Sequence, residues 1–113
     1  MILNGTHITM TRGDSETITV NMRNRDGEQV SFVDGDIVYM TVKDNLKTDE
    51  KIFQKMITEF TDGKADIDIL PEDTSDIRVK SYVYDIQLTR EDGSVTTIIK
   101  PSDLTIEGDV TRE

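Results

Sequence analysis

Three pairs of closely spaced carboxylates are the first residues in this chain whose types suit chemistry: Asp34 with Asp36, Asp66 with Asp68, and Glu72 with Asp73. Hard oxygen ligands of this kind suit calcium, which needs about six to eight of them converging on one point. None of the pairs has the spacing of an EF-hand loop. Two carboxylates held roughly 5–10 Å apart across a cleft would instead suit glycoside hydrolysis. Nothing in the sequence marks such a cleft. Asp66 and Asp68 alternate with Ala65, Ile67 and Ile69, so the pattern puts both acids on the solvated face of a strand.

Other candidates read the same way. His7 is the only imidazole and there is no cysteine, too few parts for a zinc site or a Ser-His-Asp arrangement within one chain. A strand-end histidine facing solvent is the expectation. Arg12-Gly13-Asp14 spells a tripeptide that many integrins bind, but it falls where a turn is needed, and a glycine-containing turn accounts for it. The chain has neither a Gly-rich phosphate loop nor a nucleophile elbow. Tyr39 lies between Val38 and Met40, and a core position is expected for it. The sequence therefore nominates no catalytic, cofactor-binding or metal-binding residue, and a non-enzymatic chain is expected.

Composition narrows the partners. The 113 residues suit a single domain spanning 1–113, able to bury roughly two-thirds of its unfolded surface. A formal charge of −10 argues against nucleic acid and against anionic membrane surfaces, because both demand a basic footprint. No segment approaches the ~18 consecutive apolar residues of a membrane span. The opening Met1-Ile2-Leu3-Asn4-Gly5 lacks the basic and apolar regions of a signal peptide, so synthesis in the cytoplasm is expected. A small-molecule ligand is not expected.

The elements that would position these residues alternate with period two. Ile8 and Met10 mark a first strand, and Ile18, Val20 and Met22 a second. Turns are expected at Arg12–Ser15 and at Asn24–Gly27. Val30 and Phe32 lead into Asp34-Gly35-Asp36. Ile37 to Val42 is almost continuously apolar and should form a central strand covered on both faces. Ile52, Phe53, Met56, Ile57 and Phe60 fit an amphipathic helix or a bulged strand; their setting between strands favours the strand. Ala65–Ile69 is a strand, and Leu70–Thr74 begins a short helical turn with Pro71 at its first position. Tyr82 to Ile99 is the firmest signal, a hairpin turning at Arg90-Glu91-Asp92-Gly93, with Tyr82, Tyr84, Ile86 and Leu88 on one face. Pro101 marks an edge or a bulge, and Leu104 and Ile106 resume a final strand.

The expected fold is all-β: an immunoglobulin-like two-sheet β-sandwich of seven or eight short, mainly antiparallel strands, with one short helical turn near 71–77. The Pro71-Glu72-Asp73-Thr74 stretch ahead of Tyr82 and Tyr84 resembles the corner of immunoglobulin domains, without their disulfide or core tryptophan.

Six stretches also resemble small structural proteins of tailed phages and prophages of Gram-positive bacteria. They are Ile8–Ser15, Gly35–Lys43, Leu70–Thr74, Tyr82–Gln87, Gly93-Ser94-Val95 and Ile106–Thr111. The chain is similar to the N-terminal immunoglobulin-like domain of upper baseplate proteins. That resemblance implies an assembly role in a virion, tail or baseplate, through contacts with other virion proteins or with itself as a homo-oligomer. The contact is expected at an edge near Ser94–Ile106 or at the first strand. No coiled coil or receptor-binding module follows before Glu113, which favours a standalone accessory protein. The alternatives are a carbohydrate-binding module, which needs a row of exposed aromatics among the three Tyr and three Phe, and a calcium-stabilised surface-adhesion module.

Overall fold

Alternation in Tyr82–Thr89 organises the whole structure, a computed structural model that describes residues 1–111. Strand β9 (Ser81–Thr89) turns Tyr82, Tyr84, Ile86 and Leu88 inward, all buried. On one side it pairs antiparallel with β6 (Ile37–Lys43), and on the other with β10 (Val95–Glu107). The β9–β10 turn closes through Arg90 and Ser94, whose backbones bond at 2.8 Å. The sheet grows outward from this centre to six strands, in the order β1 (Ile2–Asn4), β2 (His7–Thr11), β10, β9, β6, β7 (Lys51–Ile57). Every neighbouring pair is antiparallel except β2 with β10, which is parallel.

A second layer is smaller. Strands β3 (Glu16–Val20) and β8 (Ala65–Ile69) pair antiparallel and turn Ile18, Val20, Ala65, Ile67 and Ile69 into the same core as the large sheet. A separate ribbon of β4 (Met22–Arg23) and β5 (Gln29–Val30) is joined by the expected turn at Asn24–Gly27. The Asn24 side chain accepts the Asp26 and Glu28 amides in that turn. Helix α1 (Pro71–Thr74) follows β8, with Pro71 in its first turn. The arrangement is β-sandwich-like: mostly strand, ten strands in all among the described residues, and one short helix.

Some expectations are met and several change in detail. Residues 52–57 are the strand that their setting favoured, because β7 finds a long antiparallel partner in β6 from Val38↔Ile57 to Val42↔Phe53. Cross-strand pairing outweighs the local helix propensity of Gln54 and Lys55. Strand β6 is central but is covered on one face only. Val38, Met40 and Val42 are fully buried, while Ile37, Tyr39, Thr41 and Lys43 face outward and remain half-exposed. The small layer packs on the inner face, while on the other, among the described residues, only Leu46 and Pro101 flank Thr41, Lys43, Val83 and Asp85 in a shallow pocket. Tyr39 is therefore outside the core, with Met56 and Gln87 beside it in the register. Pro101 sits at the expected irregularity, where the ladder with β9 shifts register between Ile99 and Ser102 and leaves it unpaired, but Leu104 and Ile106 continue β10 rather than forming a separate strand. Finally, the reading began with the strand at Ile8, but β2 has a partner before it. Strand β1 folds back on β2 through Gly5-Thr6, with Gly5 at φ 62°, and takes the outer position.

Candidate interaction surface

The three carboxylate pairs separate in the fold. Asp34 is exposed, whereas Asp36 is almost completely buried and accepts both the Val33 amide (2.9 Å) and the Arg90 guanidinium (2.7 Å). This clamp ties the turn before β6 to the end of β9. Asp66 and Asp68 stand on the outer face of β8, each accepting a threonine hydroxyl from β3: Thr19 at 2.7 Å and Thr17 at 2.8 Å. Asp73 accepts the Leu70 amide and pairs with Lys55 at 2.6 Å, while Glu72 is exposed. Asp36, Asp66, Asp68 and Asp73 are thus used locally to hold a turn, a strand pair or a helix start. Among the described residues, no three acidic or histidine side chains gather round one point.

Arg12-Gly13-Asp14 forms the expected turn, with Gly13 at φ 85° and the Asp14 amide bonding the Thr11 carbonyl. It is a built corner rather than a presented loop. Arg12 Nε donates to Asp109 Oδ1 at 2.8 Å, and its terminal nitrogen reaches the Ile77 carbonyl. The Gly13 amide donates to the hydroxyl of Thr74, which α1 holds fully buried. A groove of about 760 Å³ lies between this turn, α1 and the segment after β10, with Arg12, Asp14, Glu72 and Asp109 in its wall. Its one arginine is spent on the pair with Asp109. His7 is exposed at a strand end as expected, with Nε2 3.2 Å from the Thr105 hydroxyl.

Shifted pKa values follow local contacts. The Lys80 ammonium hydrogen-bonded to Asp44 holds that carboxyl below the usual range, and the Ser94 amide does the same for Asp92. Burial pushes Asp85 up, on the outer face of β9, with Lys43 partly opposing it. Burial also raises Tyr84, whose hydroxyl donates to the Thr6 carbonyl.

What the fold leaves available is backbone and apolar surface at sheet edges. Residues Val95–Asp103 of β10 lack a second partner strand, but two register shifts and Pro101 interrupt them. Leu104 and Thr105 are paired on both sides, as are Ile8 and Thr9 of β2. The contact expected near Ser94–Ile106 or at the Ile8 strand therefore has no regular edge there. The regular open edges of the large sheet are β7 and β1. Strand β1 is exposed at every position, with Ile2 at 67% and Leu3 at 56%. Sequence reading missed it because three residues are too few for a period; the signal that was present is Asn4-Gly5. Compared with protein-family models, curated proteins and solved structures, the chain gives no match.

Proposed function

We propose that this chain is a non-enzymatic assembly module, a structural component of a phage or prophage tail or baseplate that works through protein–protein contacts. One observation carries the reading: the ionic groups best suited to chemistry are engaged in holding the fold, while the open edge strand β1 leaves Ile2 and Leu3 exposed. A rigid sandwich with an unpaired, apolar edge is suited to strand addition. The immunoglobulin-like reading is kept as part of the proposal. It is supported by the Tyr82 hydroxyl, which donates back to the Arg78 carbonyl at 2.6 Å just after α1, a bond of the kind found at immunoglobulin corners. The virion assignment rests on the resemblance of the six stretches given above.

Particles purified after prophage induction of the encoding host test the reading. The chain should co-purify with them in fixed ratio to the major tail protein and resist a salt wash. Its absence from intact particles, with the soluble protein present in the same lysate, would contradict it.

A further inference from the structure

Asparagine stands at positions 4, 21, 24 and 45, and only Asn4 is followed by glycine. The distinction is chemical. The amide nitrogen of the next residue can attack an asparagine carboxamide, and glycine, with no Cβ, obstructs that approach least. The fold separates the four further. Asn24 Oδ1 accepts the Asp26 and Glu28 amides, and Asn45 donates to Asp44 while accepting the Lys47 amide. Both carboxamides are held away from the following residues, Arg25 and Leu46. Asn21 precedes Met22, which opens β4. Asn4 is exposed, and among the described residues neither its carboxamide nor the Gly5 amide has a hydrogen-bond partner. Space around Gly5 is open as well: a Cβ built there would meet nothing within 4 Å.

The hairpin gives Asn4 freedom on one side and an anchor on the other. Beyond the loop, Tyr84 donates to the Thr6 carbonyl, the Thr6 hydroxyl lies 2.7 Å from Ser102 Oγ, and His7 Nε2 lies 3.2 Å from the Thr105 hydroxyl. Before it, β1 has three residues, one partner strand, and a tether at the terminal amine, 3.2 Å from Glu16. Bringing Asn4 Cγ to the Gly5 nitrogen therefore needs the closing pair Asn4↔His7 to open, while the core stays folded.

We propose that Asn4-Gly5 is a self-modification site, at which Asn4 is converted to isoaspartate and aspartate. The Gly5 nitrogen bonds to Asn4 Cγ, the Cγ–Nδ2 bond breaks, and ammonia leaves carrying the former Gly5 amide proton. Water then opens the cyclic imide. Attack at the Asn4 main-chain carbonyl gives isoaspartate, and attack at Cγ gives aspartate. Water is consumed and ammonia released, with no change of oxidation state. Either product puts a carboxylate into a β1–β2 hairpin whose side chains include no Asp, Glu, Lys or Arg. Isoaspartate also lengthens the main chain by one carbon at the closing pair, so Leu3↔Ile8 and Ile2↔Thr9 lose their register. Strand β1 is released, while β2 stays paired with β10.

The reaction belongs to the free chain and stands apart from the virion reading. The full chain, kept for several weeks at neutral pH and physiological temperature, is sampled by intact mass and peptide mapping. The expected result is the mass gain of an NH2 replaced by OH, localised to Asn4, with Asn21, Asn24 and Asn45 slower by about tenfold or more. The Asp-Gly steps at 26, 34, 62 and 92 can isomerise without changing mass, so they add nothing to this signal. Asn4→Gln, whose ring closure is one atom larger, should lose the gain and keep the parent melting temperature. In the converted chain, hydrogen exchange should quicken in the β1–β2 hairpin and stay unchanged along β6 and β9. A constant mass, conversion first at another asparagine, an equal gain in Asn4→Gln, or unaltered hairpin exchange after conversion would each overturn the proposal.

Discussion

The two regular edges of the large sheet are built in opposite ways. Strand β7 has seven residues, a register break where Lys43 meets Lys51, and lysines at 51 and 55. Lys55 faces the core side opposite Met40 and reaches Asp73 of α1, so the small layer and the helix shelter that border. Charge, a bulge and an adjacent layer are the devices by which sheets avoid pairing with strangers. Strand β1 has none of these three, and only its shortness as protection. It is short, uncharged and apolar, and its outermost backbone groups meet no other strand among the described residues. Length alone would make β7 the stickier border; side-chain chemistry reverses the order. An open edge is set apart by what it lacks as much as by what it displays.

The largest effect should come from the frame that both edges share. Ile86 is fully buried at the middle of β9. Ile86→Ala should cost about 2–5 kcal/mol, read as a lowered denaturant midpoint, with protection lost at both edges together. Next comes Asp36→Ala, which strands Arg90 and frees the Val33 amide. Arg90 keeps partial access to water, so a cost of about 2–3 kcal/mol is expected, below that of a fully buried pair. Hydrogen exchange should place this loss mainly on β6 and β7. Tyr84→Phe sharpens the contrast from the other side. It removes the bond to the Thr6 carbonyl and should cost about 0.5–1.5 kcal/mol, with faster exchange confined to the β1–β2 hairpin. If both variants loosened the same border, the two edges would not be separately held.

The smallest effect lies on the outer face. Burial raises the pKa of Asp85, so the folded state holds its proton more tightly than the unfolded chain. Stability from this group therefore falls as pH rises through the interval between the ordinary aspartate value and the raised one, and the penalty is complete at neutral pH. Asp85→Asn should raise the melting temperature slightly at pH 7, and the gain should vanish below the unfolded aspartate pKa of about 3.9. Neither edge should change.

Much of this architecture is written locally. Tyr82–Leu88 and Ala65–Ile69 announce their buried faces by strict alternation, and Pro71 announces the start of α1. The turns at Arg12–Ser15 and Asn24–Gly27 are marked by their glycines. Pairings over long separations have no such local mark. Arg12 and Asp109 are 97 positions apart, and Asp36 and Arg90 are 54 apart, so neither ion pair follows from spacing. The parallel pairing of β10 with β2 is equally silent. Pro101 marked an edge or a bulge because its missing donor matters in a regular ladder, and the register shift falls there; that β10 continues beyond it had no local mark. The candidate surface was the least legible part. A three-residue strand has no period, and its meaning comes from lying at the end of a sheet whose other edge is guarded.

Amide exchange at the two borders, compared between the free chain and purified particles, tests the asymmetry most directly. Protection at Leu3 should be low in the free chain and rise in the particle, while protection across Lys51–Ile57 stays constant. Unchanged exchange at Leu3, or protection that grows along β7 instead, would contradict the account.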